Sequence, residues 1–167
     1  ILGNQSPLHF DISASDLYVT LATGSTLVLI PESLFMFPPK LLDYLEEKQV
    51  NFIYWVPSIL TTISKLDLLK NRNLDIKTVF YGGELMPTKH LMYWKKYLQD
   101  TVYSNFFGPT ETTVICTHYI LDRDFSDDEP LPIGFACKNT DVLVLDEQDR
   151  LVTEQNKIGE LCVRGSS

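Results

Sequence analysis

Four short apolar segments, each followed or preceded by a stretch of helical periodicity, limit the folds open to this chain more than any other feature. The apolar segments are residues 26–30, 51–56, 77–81 and 102–107. Strands separated by ten to fifteen residues of helical pattern form βαβ units, which build parallel sheets. The sequence therefore predicts an α/β fold with a mostly parallel sheet of βαβ units flanked by helices.

Prolines and a glycine mark the helices of this pattern. Three helices are predicted to begin at Pro38, Pro57 and Pro87, because proline suits the first turn of a helix. A further helix over residues 14–22 is expected to end at Gly24, since glycine adopts the left-handed conformation common at helix ends.

The pattern changes after residue 122. Residues 122–130 are acidic and rich in turn formers, and the segments 141–145 and 160–163 alternate as strands do. We predict an α/β subdomain over residues 1–122, and a linker with the start of a β-rich subdomain over residues 123–167. The latter is the small β-rich C-terminal extension of the fold.

Composition excludes several classes of function. The chain has 167 residues, of which 44% are hydrophobic and 22% charged, as in globular proteins. Its net charge of −8 disfavours binding to nucleic acid or to an anionic membrane, which depends on Lys and Arg. No apolar run approaches the roughly 20 residues of a membrane helix. The chain does not begin with Met, and we interpret it as a segment of a longer protein.

Cysteine usage indicates the redox environment. Cys116, Cys137 and Cys162 are an odd number and show no Cys-x-x-Cys spacing. This pattern favours neither a disulfide framework nor a zinc site, and a reducing cytoplasm is predicted.

The segment 105–113, Asn-Phe-Phe-Gly-Pro-Thr-Glu-Thr-Thr, holds the densest set of candidate ligands. It follows a predicted strand, and ligands of open α/β sheets bind beyond the carboxyl ends of strands. Hydroxyls of Thr110, Thr112 and Thr113 can donate to phosphate oxygens, and Glu111 offers the hard oxygen ligand that Mg²⁺ prefers. The same residues also suit a strand-to-helix turn with threonine caps.

Four blocks in a fixed order resemble the adenylate-forming superfamily, especially the amino-acid adenylation domains of nonribosomal peptide synthetases and the D-alanine carrier-protein ligases. The blocks are residues 9–13 (His-Phe-Asp-Ile-Ser), 81–84 (Tyr-Gly-Gly-Glu), 105–113 and 159–165, with Pro-Ile-Gly at 132–134 before the last. The resemblance spans nearly the whole chain.

The resemblance implies a nucleotide site. Phe107 would stack on adenine, Asn105 would contact the base edge, Thr110 would touch the α-phosphate and Glu111 would bind Mg²⁺, so Thr110 and Glu111 are the implied catalytic residues. Glu84 lies beside this loop, or else is a solvated acid at a helix start. The implied nucleotide-binding residues are Gly82, Gly83, Glu84, Asn105, Phe107, Gly108 and Thr110.

The resemblance also implies an amino-acid site in which Asp11 holds the α-amino group. The alternative for Asp11 is a helix N-cap. Apart from Asp11 the implied residues carry no charge, so a small or medium neutral substrate is expected. The implied substrate-binding residues are Asp11, Ile12, Ser15, Tyr54, Phe80, Gly82, Phe106, Val114 and Ile115.

The activity that the resemblance implies uses ATP and Mg²⁺ to form an aminoacyl adenylate and to load the phosphopantetheine thiol of a carrier protein. A synthetase module and a stand-alone ligase both fit. The superfamily's phosphate loop and catalytic lysine have no counterpart in residues 1–167, so this segment alone is expected to be inactive. The alternative is an α/β nucleotide- or partner-binding module that kept the fold without the chemistry.

Overall fold

The structure, a computed structural model, describes residues 1–165, and the last two residues of the predicted C-terminal extension lie outside that range. Within it, seven strands form one sheet in the order β2-β1-β3-β4-β5-β6-β7. The strands are β1 (Leu2–Asn4), β2 (Leu27–Leu29), β3 (Phe52–Trp55), β4 (Thr78–Gly82), β5 (Val102–Phe107), β6 (Thr117–Ile120) and β7 (Phe135–Ala136).

Strands β2, β1, β3, β4 and β5 are parallel neighbours, whereas β6 and β7 join the edge antiparallel. Four α-helices of the described chain connect the parallel strands. They are α1 (Ile12–Thr23), α2 (Pro38–Glu47), α3 (Pro57–Lys65) and α4 (Thr88–Tyr97). The predicted α/β class with a mostly parallel sheet is confirmed.

Local sequence explains where the helices begin and end. Proline occupies the first turn of α2 and of α3. Gly24 ends α1 in the left-handed conformation at φ 64°, and its N–H donates to the carbonyl of Thr20. These are the positions that the sequence pattern predicted, because proline and glycine impose backbone angles independently of the tertiary context.

Two parts of the sheet went unpredicted. Strand β1 is only three residues long, too short to show a period, yet it is buried between β2 and β3. Strands β6 and β7 follow the segment 105–113, where the pattern suggested a strand-to-helix turn. Instead residues Thr110–Thr112 form a single 3-10 turn, and the chain returns antiparallel to β5.

One face of the sheet, here named the closed face, is packed against α2, α3 and α4. Its strand residues include Ile53, Trp55, Val79 and Tyr81, each with 0% of its surface exposed. The Nε1–H of Trp55 donates to the carbonyl of Gly3 at 2.9 Å, so the largest of these side chains has its polar group satisfied. This face holds the main hydrophobic core.

The opposite face, here named the open face, carries aromatic rings and is partly covered by α1. Phe80 contacts Phe106 with ring centroids 4.6 Å apart, and Tyr54 contacts Phe106 at 5.4 Å, both edge to face. The outward side of α1 leaves Tyr18 and Leu21 exposed. The open face is therefore lined with apolar rings without being filled.

The remaining strands form a separate two-stranded sheet of β8 (Thr140–Leu145) and β9 (Glu160–Gly165). This sheet has the β structure that was predicted for the C-terminal extension. Strand β7, although it lies after residue 122, pairs with β6 of the large sheet. The subdomain boundary near residue 122 stays a prediction. Among residues 1–165, every helix is too short or too polar to cross a membrane.

Candidate functional site

Two cavities lie where the parallel strands β3, β4 and β5 end, because parallel strands present their carboxyl ends at one edge of the sheet, and a third adjoins them on the open face. We name them the outer, central and inner cavities. The outer and central cavities share Gly83, Glu84, Gly108 and Pro109 in their walls. The central and inner cavities share Tyr54. The predicted ligand segments thus border one continuous region.

The outer cavity has a volume of about 490 Å³ and a mainly apolar wall. Phe107 is 38% exposed, which leaves an aromatic surface available to a flat ring. The Nδ2–H of Asn105 donates to the carbonyl of Pro132 at 2.8 Å, which leaves the amide oxygen as an acceptor. The wall consists of Gly83, Glu84, Leu85, Met86, Asn105, Phe106, Phe107, Gly108, Pro109, Leu131 and Ile133.

Two consecutive glycines at the end of β4 are required for different reasons. A Cβ at Gly82 would lie 2.4 Å from the carbonyl oxygen of Phe106, so this glycine allows β4 and β5 to pair closely beneath the cavities. Gly83 has φ 84° and meets only Ile12 within 4 Å of a Cβ position, so it allows the chain to turn along the cavity wall. Gly82 itself is outside the lining of the three cavities.

The central cavity, of about 460 Å³, contains the carboxylate that the sequence singled out. Asp11 occupies the N-cap position of α1, yet its side chain makes no capping hydrogen bond to the described chain. Its carboxylate is consequently available to a ligand. The wall consists of Gln5, Ser6, Pro7, Phe10, Asp11, Ile12, Tyr54, Val56, Gly83, Glu84, Gly108, Pro109, Thr110 and Val114.

The loop after β5 places its hydroxyls unequally. Thr110 borders the central cavity, whereas the hydroxyl of Thr112 donates to the carbonyl of Pro109 at 2.9 Å. In this conformation the Thr112 hydroxyl hydrogen is used within the loop, and phosphate donation by Thr112 stays a prediction. Val114 adopts φ 77°, a strained angle for a β-branched residue. Such strain persists where surrounding contacts hold it, and it is common in ligand-binding loops.

Glu111 is exposed in the 3-10 turn, next to Thr110 and outside the lining of the three cavities. Residues 1–165 contain no cluster of three or more His, Cys, Asp or Glu side chains suited to a metal ion. A single carboxylate fits a Mg²⁺ ion whose other ligands come from phosphates and water. The residues present are thus compatible with a metal that arrives with a nucleotide.

The inner cavity, of about 180 Å³, lies between α1 and the open face. Tyr54 separates the inner cavity from the central cavity. Burial is the main cause that raises the pKa of the Tyr54 hydroxyl, and the nearby carboxylates of Asp11 and Asp16 raise it further. At neutral pH Tyr54 is therefore a neutral, largely apolar wall. The full lining is Leu2, Ser15, Asp16, Val19, Phe52, Tyr54, Phe80, Phe106 and Ile115.

Glu84 borders both larger cavities, but its carboxylate is engaged elsewhere. It accepts hydrogen bonds from the backbone N–H of Ser58 at 2.9 Å and from the Ser58 hydroxyl at 3.4 Å. Glu84 thus caps the first turn of α3, whereas the alternative from sequence was a solvated acid at the start of the next helix, α4. A second contact from Glu84 to a ligand would have to use the remaining lone pairs of this carboxylate.

Asp16 is the site residue that sequence reasoning missed. It is 1% exposed, and burial raises the pKa of its carboxyl to about 6, although the hydrogen bond from Asn4 lowers that pKa. The sequence held one indication of this role, since Asp16 is a charged residue inside an apolar helical pattern, and charged residues are seldom buried unless they are paired. Its partner Asn4 lies on the strand that was not predicted.

The sequence model of one protein family, described as "AMP-binding enzyme", matches residues 2–167. Among relatives, the chain is 34% identical over 164 residues to an L-proline–[L-prolyl-carrier protein] ligase of Pseudomonas fluorescens, covering 98% of this chain and 33% of the relative. It is 36% identical over 170 residues to a D-alanine–D-alanyl carrier protein ligase of Lacticaseibacillus casei, with shares of 98% and 33%. The chain spans about a third of the length of each of these two relatives.

Solved structures agree with this assignment. The crystal structure of CmiS6 superposes with a TM-score of 0.88 at 27% identity, covering 98% of this chain and 40% of that one. The Vibrio cholerae adenylation domain AlmE, in complex with glycyl-adenosine-5'-phosphate, superposes with a TM-score of 0.78 at 25% identity, with shares of 89% and 28%. The family match over nearly all residues and the shared fold lead to one conclusion: the chain belongs to the AMP-binding enzyme family.

Proposed function

We propose that this chain forms the amino-acid and nucleotide recognition part of an ATP-dependent ligase that makes an aminoacyl adenylate. The observation that carries the proposal is the free carboxylate of Asp11 in a cavity that shares its wall with the outer cavity. An ammonium group in the central cavity and an adenine in the outer cavity would place the substrate carboxylate near Thr110. This is the arrangement that adenylation requires.

In the proposed reaction, a carboxylate oxygen of the amino acid attacks the α-phosphorus of ATP. The bond from that phosphorus to the bridging oxygen breaks, and pyrophosphate leaves with the electron pair. Asp11 holds the ammonium group as a charge-assisted partner, and the hydroxyl of Thr110 donates to a phosphate oxygen. Glu111 would help hold Mg²⁺, which neutralises charge on the phosphates when bound.

The rings of the inner cavity support a small or medium neutral amino acid as substrate. A volume of about 180 Å³ bounded by Tyr54, Phe80 and Phe106 leaves little room for a long side chain. A charged side chain would lose its hydration among these rings. Asp16 adds one carboxylate to this wall, and its hydrogen bond from Asn4 accounts for part of its accepting capacity.

The relatives support the second half of the proposal, transfer to a carrier protein. Two of them are named as ligases for prolyl- and D-alanyl-carrier proteins. A further structural neighbour, PA1221, at 25% identity and a TM-score of 0.84, is described as an NRPS protein containing adenylation and PCP domains. We propose that the adenylate formed here passes to a phosphopantetheine thiol of such a partner. ATP dependence and three free cysteines fit a cytoplasmic location.

The experiment uses the full-length polypeptide that carries this sequence, in amino-acid-dependent ATP–pyrophosphate exchange. We expect exchange with a small neutral amino acid. Asp11→Asn should raise the KM for that amino acid about 100-fold, because an ammonium group would lose its ionic partner. The KM for ATP should stay within about twofold, since the outer cavity does not include Asp11.

Asp128→Asn is the matched control, because Asp128 is an exposed carboxylate in the loop before β7. It should behave as the wild type. Exchange with no amino acid in the wild type, or equal effects of the two substitutions, would contradict the proposal.

A further inference from the structure

Helix α1 docks on the sheet in an unusual way. Of its twelve residues, the two whose side chains are fully buried are Ser13 and Asp16, and both are polar. A surface helix ordinarily docks through an apolar stripe. Leu17, Tyr18 and Leu21 of α1 are instead exposed within the described structure. Of these two side chains, Asp16 bonds to the sheet, and such a directional hydrogen bond, which demands a particular distance and angle, helps to fix the helix on the sheet.

Asn4 supplies the main bond from the sheet. It is the last residue of β1, which lies between β2 and β3, and its side chain is 9% exposed. Its Nδ2 donates to the Asp16 carboxylate at 2.7 Å and to the carbonyl of Ser6 at 3.0 Å. Both amide hydrogens are used, so one side chain connects the strand, the following loop and the helix.

The same connection extends to Asp11. The hydroxyl of Ser13 donates to the carbonyl of Phe10 at 2.7 Å, which fixes the residue before Asp11 against the helix. Asp11 precedes Asp16 by five residues, about one and a half turns of α-helix. Any shift of α1 along or around its axis would therefore move the Asp11 carboxylate relative to the central cavity.

We infer that the Asn4–Asp16 hydrogen bond is a positioning device that holds helix α1, and through it Asp11, in register with the amino-acid cavity. The inference rests on the proposed function, because it assigns Asp16 a role in binding the amino acid through Asp11. Asp16 is a positioning residue that acts without contacting the reacting atoms. A misplacement of about 1 Å in such a binding group is enough to cost about 100-fold in rate.

The nucleotide side provides an internal reference. The outer cavity is built from the ends of β4 and β5 and from residues near Ile133, and it contains no residue of α1. Loss of the Asn4–Asp16 bond should consequently affect the amino acid and spare ATP. A general loss of folded protein would affect both.

The test measures the KM for the amino acid and the KM for ATP in the full-length polypeptide by pyrophosphate exchange. The probe is whichever proteinogenic amino acid or D-alanine gives the highest wild-type exchange. Asp16→Leu, which is close in size and removes the buried charge, should raise the amino-acid KM about tenfold or more and leave the ATP KM within about twofold. Asn4→Leu should have the same effect.

Asp16→Asn is the rescue variant, because its side-chain carbonyl can still accept from Asn4. It should keep the amino-acid KM within about threefold of the wild type. Thr20→Val is the matched control on the same helix, since the Thr20 hydroxyl is buried and has no hydrogen-bond partner among the described residues. It should change neither KM. The double variant Asn4→Leu/Asp16→Leu should be no worse than the more affected single variant.

The outcomes separate the two proposals. Wild-type exchange with none of the amino acids overturns the proposed function and this inference with it. Wild-type exchange combined with equal rises of both KM values in Asp16→Leu, or with no rescue by Asp16→Asn, overturns the positioning role alone. Circular dichroism at the assay temperature shows whether Asp16→Leu is folded. If it is unfolded, the KM values of Asn4→Leu and Asp16→Asn test the positioning role in its place.

Discussion

The two faces of the large sheet differ in what their aromatic residues contact. On the closed face, Trp55 lies 5.4 Å from Phe35, ring centroid to centroid, within a filled core. On the open face, its chain neighbour Tyr54 borders two cavities. Successive side chains of a strand point to opposite faces, so one residue contributes to stability and the next to binding. The comparison shows how a four-residue strand, β3, serves both purposes.

The difference also divides the proposed site. Phe106 contacts the open-face rings of Tyr54 and Phe80 and reaches the outer cavity only as part of its wall. Its neighbours Asn105 and Phe107 border the outer cavity next to Met86, a member of the closed-face core, and neither lines the inner cavity. The proposed amino-acid and nucleotide positions thus lie on the two sides of strand β5. Single substitutions should be able to separate them.

The largest expected effect comes from Trp55→Ala compared with Tyr54→Ala. Trp55→Ala should lower the free energy of unfolding by about 3–5 kcal/mol, because it leaves a cavity in a filled core and removes the indole hydrogen bond to the Gly3 carbonyl. Tyr54→Ala should cost less than about half of that, since the space joins existing cavities. Urea denaturation of both variants measures the difference. Equal losses would mean that the open face is as tightly packed as the closed face.

The next effect is a dependence of stability on pH that comes from Asp16. Its pKa is raised from 3.8 to about 6 on folding, so the folded state binds this proton more tightly than the unfolded state. Protonated Asp16 therefore favours the folded state, and its full contribution to the free energy of unfolding is present below about pH 4. This contribution is lost as the pH rises through about 6, and the total loss is about 3 kcal/mol.

The matched variant for this pH effect is Asp16→Asn, which has no carboxyl to titrate. The difference in unfolding free energy between wild type and variant should therefore shift against the wild type as the pH rises from about 4 to about 7. The nearby groups Asp11 and Tyr54 are present in both proteins and cancel in this difference. A difference that does not change over this pH range would show that the Asp16 carboxyl titrates as it does in the unfolded chain.

A smaller effect, on ATP binding, is expected from Phe107→Ala in the outer cavity. Loss of an aromatic surface beneath a stacked base costs about 1–3 kcal/mol, so the KM for ATP should rise about tenfold. The amino-acid KM should change little, because Phe107 is outside the central and inner cavities. Phe107→Tyr keeps the ring and should bind ATP as the wild type does. A rise of the amino-acid KM instead would reverse the division of the site between the two sides of β5.

The smallest effect on stability is expected from Arg72→Gln, on the closed-face side of the sheet. Arg72 pairs with Asp43, and its guanidinium lies 3.6 Å from the Glu46 carboxylate. These carboxylates of α2 raise the pKa of the guanidinium, which stays charged at all working pH values. A partly exposed ion pair contributes about 0–1 kcal/mol, so thermal unfolding should shift by only a few degrees. A larger shift would show that this edge of the core depends on charge more than on apolar packing.

Much of the fold could be predicted from sequence because its signals are local. Pro38, Pro57 and Gly24 fix backbone angles by their own covalent structure, and the strand at 102–107 is a short run rich in Val, Tyr and Phe that ends at a Gly-Pro turn. Strand β1 could not be predicted, because three residues show no period and its burial depends on pairing with two distant strands.

The site could be predicted only in part, for a similar reason. Asp11, Asn105 and Phe107 stand in recognisable blocks, and the structure brings all three to adjoining cavities. Asp16 escaped because its partner Asn4 is 12 residues away on the unpredicted strand. The Glu84 carboxylate accepts from Ser58, 26 residues away, which is a tertiary contact that residue type does not reveal. The Thr112 hydroxyl instead bonds locally to the Pro109 carbonyl, as in the alternative of a turn with threonine caps.

The alternation of side chains along the central strands bears on how such a site can be remodelled. Positions 52, 54, 80 and 106 all line the inner cavity. Apart from Asn51, their direct chain neighbours belong to the core or to the outer cavity. A mutational library confined to positions 52, 54 and 80 would explore new substrate sizes while leaving the outer cavity and the fold largely untouched, whereas position 106 also lines the outer cavity. A one-residue insertion in β5 would exchange the two sets of side chains and disable both at once.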